Sequence, residues 1–483
     1  MGSAPRIVLN GQAIEIGEVS AATTLLDWLR EQVGLRGTKE GCAEGDCGAC
    51  TVVVERLTAE GTIQNSAINS CIALVGQLDG LGVRTVEGLV QADGALHPVQ
   101  DAFAKGNATQ CGFCTPGFIM AAYALWASGE TYNLPKIHDS IAGNLCRCTG
   151  YRPIVDAIIQ AGLRSGPSQD PIDTTLHQEL SSIERNEGTC LESTNERFYV
   201  PVSLAEALEV RAAYPDALLL AGGTDLGLLA SQKRNKLPLI IHISKVKELN
   251  VISETPTEVT VGAAVTYTEA FNVLVKLYPN LAGYLRRLGS EQIRNMGTIG
   301  GNIATASPIG DMLPVLIALD AKVKVSSASR GRRMIAVENF LVRYRKTALA
   351  QDELIEAIII PKLSKQLLFF TDKISKRRDQ DISTVCGAYR LLIEDGIVRE
   401  ARIAFGGLAP KPQRAIAVER ALKGRPFDEE TVAGAGEAMQ EDFQPISDWR
   451  GTAEYRLIVA KNLLHRLRFR IARPDLLAEV DMI

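Results

Sequence analysis

Near its start the chain has two short apolar runs, residues 7–9 and 13–16, separated by Asn10, Gly11 and Gln12. Asn10 and Gly11 both tolerate positive φ, and such a dipeptide between apolar runs is a strong hairpin signal. We therefore predict a β-hairpin over residues 6–16.

A helix is predicted next, because Thr23 or Thr24 can cap it and Gly34 can end it. Its apolar residues fall on one face at helical spacing: Leu25, Leu26, Leu29 and Val33. With a strand predicted over residues 51–55, residues 1–85 are expected to form a small, mainly β domain with one helix.

The pattern changes at residue 86, where Ala, Leu and Met become frequent. Helical spacing in residues 99–103, 117–128 and 151–161 predicts a small helical bundle over residues 86–163. Residues 164–197 are polar, with little apolar periodicity, and are interpreted as an interdomain linker.

The rest of the chain mixes short β patterns with helical ones, which predicts an α+β domain over residues 198–365 and a last α+β domain over residues 366–483. The first of these rests on strands and helices predicted at residues 217–220, 239–243, 258–262, 203–213 and 268–277. The whole is therefore expected to be an α+β multidomain chain.

Composition excludes some functions. Lys plus Arg number 52 against 56 Asp plus Glu, a formal net charge of -4, so no nucleic-acid partner is expected. The N-terminus lacks the apolar region of a signal peptide, and the most apolar helical stretch, residues 118–127, is too short to span a bilayer. We expect a soluble, cytoplasmic protein without a membrane partner.

Eight of the ten cysteines lie between Cys42 and Cys148. Thiols stay reduced in the cytosol, so this concentration indicates metal ligation rather than disulfides. Cys190 and Cys386 stand apart and are interpreted as a linker thiol and a core residue.

The first cysteine group has the C-x4-C-x2-C spacing of plant-type ferredoxins, which hold a 2Fe-2S cluster. Its members are Cys42, Cys47 and Cys50, with Cys71 downstream. Three glycines in the loop allow turns that point backbone N–H groups at the sulfurs: Gly41, Gly45 and Gly48. Structural zinc also takes four thiolates, but it usually uses two C-x2-C knuckles.

The second group pairs a C-x2-C with a distant C-x-C inside the predicted helical domain. This pattern alone fits either an iron–sulfur cluster or zinc. Its members are Cys111, Cys114, Cys146 and Cys148.

Two glycine-rich turns are candidates for phosphate binding. Residues 221–226 follow a predicted strand, and residues 297–304 lead to residues 307–311, so backbone N–H groups could bind an anion from two sides. By pattern alone most glycine turns are only turns. No G-x-G-x-x-G follows a strand, so a Rossmann nicotinamide site is not expected.

Three segments, residues 39–51, 110–117 and 143–151, together resemble the molybdenum hydroxylase family. The resemblance implies a β-grasp ferredoxin-like domain and a helical-bundle domain, each with one 2Fe-2S cluster on its four cysteines. It also implies that Gln110 and Cys148 approach the pterin of a molybdenum cofactor carried by a partner subunit.

Both glycine turns look like the phosphate-binding loops of the FAD domain in xanthine dehydrogenases and carbon monoxide dehydrogenase flavoproteins. This implies a two-part α+β FAD-binding domain, followed by the last domain of the same flavin subunits. The residues implied to hold FAD phosphates or ribose are Ala221, Gly222, Gly223, Thr224, Asp225, Leu226, Thr298, Gly301 and Asn302. Asp311 and Lys373 match positions near the flavin and nicotinamide sites. Leu288 stands where several relatives carry a phenylalanine beside the isoalloxazine ring.

The resemblance covers nearly the whole chain and includes no molybdenum-binding domain, so hydroxylation is expected on a partner and no catalytic residue for it on this chain. It is closest in organisation to two-subunit xanthine dehydrogenases, which implies purine substrates, NAD as acceptor at the exposed flavin face, and a heterotetramer with the molybdenum-bearing large subunit. Two alternatives remain open: an aldehyde or other N-heterocycle hydroxylase, and a zinc-stabilised assembly module without redox function.

Overall fold

The computed structural model describes residues 5–91, 93–129, 133–164, 173–193, 195–232 and 234–473. The chain divides into two compact units. Unit 1 comprises Met1–Lys247, Thr266–Thr268 and Gly289–Thr298, and unit 2 comprises Glu248–Val265, Glu269–Leu288 and Ile299–Ile483. Within the described ranges, no helix has both the length and the apolar character needed to cross a membrane.

The strands are β1 (Arg6–Leu9), β2 (Gln12–Glu15), β3 (Thr51–Leu57), β4 (Ile63–Asn69), β5 (Gly82–Arg84), β6 (Thr189–Ser193), β7 (Glu196–Val200), β8 (Leu218–Leu220), β9 (Leu239–His242), β10 (Ile252–Glu254), β11 (Glu258–Gly262), β12 (Lys322–Ser327), β13 (Gly331–Ala336), β14 (Leu341–Arg343), β15 (Lys346–Thr347), β16 (Glu353–Pro361), β17 (Leu367–Ile374), β18 (Val385–Glu394), β19 (Ile397–Gly406) and β20 (Gln413–Arg414).

The helices are α1 (Leu25–Asp27), α2 (Pro98–Lys105), α3 (Thr115–Ala127), α4 (Leu134–Ile141), α5 (Arg152–Arg164), α6 (Asp173–Ile183), α7 (Leu204–Ala213), α8 (Gly227–Ser231), α9 (Tyr267–Leu277), α10 (Leu281–Arg286), α11 (Glu291–Arg294), α12 (Ile299–Thr305), α13 (Met312–Ala318), α14 (Val337–Phe340), α15 (Ile416–Leu422), α16 (Glu429–Asp442) and α17 (Ala453–Ala472). Short 3₁₀ turns occur at Val75–Leu78, Val86–Leu89 and Lys247–Asn250.

A mixed five-stranded sheet begins unit 1, in the order β2-β1-β5-β3-β4. The predicted hairpin is confirmed: β1 and β2 pair antiparallel around Asn10 and Gly11. The predicted helix is also present. The Thr24 side chain accepts a hydrogen bond from the Asp27 N–H at its start, and the helix continues as a π-helical turn to Gly34, whose φ is +84°.

The helical bundle predicted after this sheet is confirmed in α2, α3 and α5. Helix α3 is buried along nearly its whole length, so it forms the centre of the bundle. Helix α4 was not predicted. Only Ile137 and Ile141 give it a buried apolar stripe, although the Asn133 side chain caps it.

The prediction of irregular structure over residues 164–197 is wrong for much of this segment. Residues 173–183 form α6, and β6 pairs antiparallel with β7. Residues 165–172 and 194 lie outside the described residues. Helix α6 packs against Val8 through one apolar stripe: Leu176, Leu180 and Ile183. Three apolar residues among polar ones give too weak a helical period to be detected in the sequence. They nevertheless stabilise the helix once the sheet provides an apolar surface to pack against.

A second sheet in unit 1, in the order β6-β7-β9-β8, has β9 parallel to both neighbours. In unit 2, β10, β11, β16, β12 and β13 form one antiparallel sheet. The antiparallel strands β17 to β20 follow, and the core beside them includes Tyr389, Leu391, Val432 and Leu464 from the strands and C-terminal helices. Residues 198–473 thus combine helices with β-sheets, which confirms the α+β character predicted for this part of the chain.

His242 at the end of β9 should make unit 1 sensitive to acid. Burial, with the nearby positive charges of Lys245 and Arg56, lowers the pKa of His242 to about 3. The unfolded chain binds a proton near the ordinary pKa of about 6.5, so stability is lost as pH falls below that value and is unaffected above it. Between about pH 7 and about pH 5, we expect the wild type to lose about 2 kcal/mol more than a His242→Leu variant.

Denaturant unfolding of the whole chain at both pH values measures this difference. Leucine removes no hydrogen bond at Nδ1, since that atom has no partner among the described residues. The exposed His138, changed to Leu, is the matched control and should leave the pH dependence unaltered. If the wild type and the His242→Leu variant lose the same stability between these pH values, His242 is not the source of the acid sensitivity.

Candidate cluster and flavin sites

The first cysteine group lies on the loop before β3 and just after β4. The thiols of Cys42 and Cys47 hydrogen-bond to each other, and those of Cys50 and Cys71 do the same. Cys50 and Cys71 are buried, whereas Cys42 and Cys47 are half-buried. The thiols are therefore arranged as two pairs, which fits a cluster in which each of two irons takes two thiolates.

Backbone N–H groups of this loop point at a cysteine sulfur, as the sequence predicted. Glu44, Asp46 and Cys47 donate to Cys42 Sγ over 3.4, 3.4 and 3.3 Å. A Cβ added to Gly41 would lie 2.6 Å from Cys47 Sγ, so a side chain there would displace the Cys47 thiol. The hydrogen bond from Cys47, helped by these N–H groups, lowers the pKa of the Cys42 thiol to about 5. The same hydrogen bond raises the pKa of Cys47, so within this pair the loop favours the thiolate on Cys42.

The second group is also paired, Cys114 with Cys146 and Cys111 with Cys148. Burial alone would raise the pKa of Cys146, but hydrogen bonds from Thr149 and from the Cys148 N–H lower it. The N–H groups of Cys148 and Thr149 both lie 3.4 Å from Cys146 Sγ. This donor set fits a second cluster.

The outer edge of the second group faces solvent. Cys111 and Cys148 are exposed, and Gln110 is exposed on the same loop. Across the described ranges, no three His, Cys, Asp or Glu side chains form a site for a single ion. The role implied for Gln110 stays a prediction.

The two cysteine loops touch directly, which the sequence did not indicate. The Leu145 N–H donates to the Cys47 carbonyl over 3.0 Å, and Asn144 Nδ2 donates to the Gly48 carbonyl over 3.0 Å. A Cβ on Gly117 would overlap the same Gly48 carbonyl, so α3 also packs against this junction.

The first glycine loop, residues 221–226, connects β8 to α8 within unit 1. A Cβ on Gly222 would overlap the carbonyl oxygen of Met296, and Gly223 has a φ of +79° that favours glycine. Gln77, which the sequence analysis missed, donates from Nε2 to the Ala221 carbonyl over 3.1 Å. Bare backbone at such a turn suits a pyrophosphate.

Other residues predicted to hold FAD flank this loop or lie on it. Thr224 Oγ1 is 3.6 Å from the position of a Cβ on Gly297, next to the buried Thr298. The structure therefore brings Thr224 and Thr298 into one neighbourhood of unit 1. Asp225 is exposed and Leu226 is half-buried.

In unit 2, Gly301 and Asn302 lie on α12. The buried Oδ1 of Asn302 has no hydrogen-bond partner among the described residues. A buried polar atom of this kind is normally satisfied, and a bound group is one way to satisfy it. Asn302 therefore fits a role in binding FAD.

Asp311 and Lys373 form a buried pair, with Lys373 Nζ 2.5 Å from Asp311 Oδ2. Ser383 donates to Asp311 Oδ1 over 2.5 Å, a partner that the sequence analysis did not assign. The largely buried Leu288 follows Arg287, whose Nη1 donates to the Lys373 carbonyl over 2.8 Å. The structure thus pairs Asp311 with Lys373 and places Leu288 next in the chain to a residue that contacts Lys373.

Four family models match the chain in succession. They are a 2Fe-2S iron-sulfur cluster binding domain (residues 7–76), a [2Fe-2S] binding domain (85–159), an FAD binding domain in molybdopterin dehydrogenase (192–363) and a CO dehydrogenase flavoprotein C-terminal domain (371–469). The chain is therefore an iron–sulfur flavoprotein with two 2Fe-2S domains and an FAD-binding domain. These matches favour iron–sulfur over the zinc interpretation of both cysteine groups.

Similar proteins identify the family. Xanthine dehydrogenase/oxidase of Gallus gallus is 31% identical over 93% of this chain and 38% of its own length, and xanthine dehydrogenase 1 of Arabidopsis thaliana is 32% identical over 90% and 37%. Quinoline 2-oxidoreductase from Pseudomonas putida 86 includes a similar solved chain, 30% identical with a TM-score of 0.53 over 57% of this chain and 96% of that one. A chain of carbon monoxide dehydrogenase from Hydrogenophaga pseudoflava is 29% identical with a TM-score of 0.53, over 56% and 94%.

The chain belongs to the molybdenum hydroxylase family of oxidoreductases. It spans about 38% of the length of the Gallus gallus relative.

Proposed function

We propose that the chain is the electron-transfer subunit of a xanthine dehydrogenase. Electrons from purine hydroxylation at a partner's molybdenum cofactor would pass through the helical-domain cluster, then the ferredoxin-like cluster, then FAD, to NAD. The names of the curated relatives support the purine substrate. The four matched family models describe iron–sulfur and flavin domains, so in this proposal the molybdenum cofactor is held by a partner subunit in a heterotetramer.

The proposed order of the two clusters and FAD is supported by the contacts on either side of the first cysteine group. On one side of the first cysteine group, the Cys47 carbonyl accepts a hydrogen bond from Leu145, the neighbour of Cys146. On the other side, Gly227 packs against the carbonyl of Ile72, the neighbour of Cys71, closely enough that a Cβ would overlap it. The first group therefore lies between the second group and the start of α8, which directly follows the first glycine loop, in unit 1.

Exposure of the cysteines fits the direction of transfer. The exposed Cys111 and Cys148 form the edge at which a partner could deliver electrons, whereas the buried Cys50 and Cys71 face the protein interior. When bound, each 2Fe-2S cluster carries one electron at a time, whereas FAD can carry one or two. Bound FAD could therefore accept single electrons from the clusters and pass a hydride to NAD. The protein would hold the two clusters and FAD in this order and exclude water from the buried thiols of Cys50 and Cys71.

At the flavin end, we assign Asp311 and Lys373 to positioning near the flavin and nicotinamide. Because Ser383 and Lys373 bind opposite oxygens of Asp311, the carboxylate is held in a fixed orientation. Leu288 offers an aliphatic surface where a phenylalanine was expected from the resemblance. NAD is proposed to bind at the exposed face of the flavin.

Turnover of the assembled complex tests this function. With xanthine as the donor, we expect urate formation coupled to NADH formation, with slower turnover when air replaces NAD. The measurement is absorbance of both products under anaerobic and aerobic conditions. Absence of flavin reduction by xanthine or hypoxanthine, in a complex with its clusters and flavin bound, would exclude the purine assignment.

A second substrate class has specific support, since the quinoline 2-oxidoreductase chain matches over 96% of its length. An N-heterocycle or aldehyde hydroxylase would use the same electron route on this chain. Flavin reduction by quinoline or by an aldehyde, without reduction by xanthine, would select this alternative.

A further inference from the structure

A buried glutamine connects the two cysteine loops to a helix of the FAD-binding region. Gln292 on α11 is fully buried, and its Nε2 donates to Asn144 Oδ1 over 2.8 Å. Asn144 in turn donates to the Gly48 carbonyl over 3.0 Å and lies 3.3 Å from Thr51 Oγ1. Two side chains thus form a hydrogen-bonded series from α11, through the second cysteine loop, to the first.

Helix α11 is also fixed to the first cysteine domain by other contacts. A Cβ on Gly45 would lie 3.3 Å from Ile293 Cδ1, and Asn295 Nδ2 donates to the Ala67 carbonyl over 2.8 Å. Met296 packs its carbonyl against Gly222. A single short segment therefore contacts both cysteine loops and the first glycine loop, all within unit 1.

The junction has no spare room. A Cβ on Gly143 would overlap the Gln292 amide, and a Cβ on Gly48 would overlap the Gly143 carbonyl and crowd Asn144. The Asn144 amide is therefore held on both sides, by Gln292 and by Gly48. Because Leu145 is the next residue, this anchoring fixes the Leu145 N–H on the Cys47 carbonyl.

We propose that Gln292 and Asn144 are positioning residues for electron transfer between the two clusters. They hold the Leu145–Cys47 hydrogen bond, which joins the backbone beside one cysteine ligand, Cys146, to another ligand, Cys47. Electron transfer weakens steeply with distance and with through-space gaps, so loosening this contact slows transfer between the clusters. The inference rests on the proposed assignment of the eight cysteines as cluster ligands.

The test replaces Gln292 with Met, which keeps the length of the side chain but removes the amide. The matched control is Gln232→Met, because Gln232 Nε2 also donates to a carbonyl of the first loop, that of Cys42, over 2.8 Å, but away from the junction. Both are made in the full chain, and iron, acid-labile sulfide and flavin are measured first. Hydrogen exchange of the peptide containing Leu145 and the magnetic interaction between the two reduced clusters are then compared.

For Gln292→Met, we expect exchange at Leu145 faster by about tenfold or more, since a buried hydrogen bond to Asn144 is lost. The splitting of the electron paramagnetic resonance signals that arises from interaction between the clusters should shrink. Gln232→Met should leave both quantities as in the wild type. A structural role alone would lower stability without changing the cluster–cluster splitting.

Wild-type exchange at Leu145 and wild-type splitting in an iron-replete Gln292→Met protein would overturn the inference. If that variant does not bind its clusters, Gln292→Asn is used instead, which keeps the amide but withdraws it by one methylene. Faster exchange at Leu145 together with a smaller splitting than in the wild type supports the inference, and wild-type values reject it. A wild-type protein without iron would instead reject the cluster assignment itself, so the two failures are distinguishable.

Discussion

Replacement of Cys146 with Ser is expected to abolish reduction of the bound flavin by xanthine in the assembled complex. Cys146 pairs with Cys114 and is the residue whose neighbour, Leu145, touches the first loop. A serine hydroxyl ionises far less readily than a thiol and is a poor ligand for iron, so the helical-domain cluster would be lost or altered. Anaerobic stopped-flow absorbance of the flavin after mixing with xanthine measures the effect.

Cys190→Ser is the matched control for this experiment. Cys190 lies on β6, outside both cysteine groups, and its thiol donates to the Leu191 carbonyl over 3.9 Å and to Glu192 Oε1 over 3.8 Å. The control should reduce its flavin at the wild-type rate. Direct chemical reduction of the flavin in both variants verifies that FAD is bound. Undiminished reduction by xanthine in the Cys146→Ser complex would show that electrons take another route.

The features that the sequence predicted correctly depend on near neighbours along the chain. The Asn10-Gly11 hairpin and the Thr24 cap are set by a few adjacent residues. The spacing of Cys42, Cys47 and Cys50 also reflects a local loop, whose N–H groups meet the sulfurs as expected. In such cases the conformation follows from residue type and spacing alone.

The features that were missed depend on surfaces supplied from far along the chain. Gln292 and Asn144 are 148 residues apart, and Gln77 is 144 residues from Ala221. Neither glutamine differs in its local sequence from an ordinary exposed one, so no spacing could mark it. Helix α6 was missed for a related reason, because its three apolar residues gain their significance only from Val8 on β1.

The glycine loop next to the first cluster allows a second large effect to be predicted, for Gly222→Ala. The added Cβ would overlap the Met296 carbonyl, a backbone atom that cannot rotate away, and would also lie 3.0 Å from Gly297 Cα. Residues 221–226 or 296–298 must then shift, and both segments are proposed to hold FAD phosphates. The added methyl group is expected to destabilise the FAD-binding conformation of the loop by about 3 kcal/mol. This corresponds to FAD binding weaker by about 100-fold.

The flavin content of the purified chain and its dissociation on dilution, followed by fluorescence of released FAD, measure this loss. The cluster content should be retained, because Gly222 lies outside both cysteine loops. Gly434→Ala on α16 is the control, since a Cβ there meets no atom within 4 Å and alanine favours the helix. A Gly222→Ala protein that keeps wild-type FAD affinity would show that the loop does not hold the phosphates, because its backbone cannot accept the methyl group without moving.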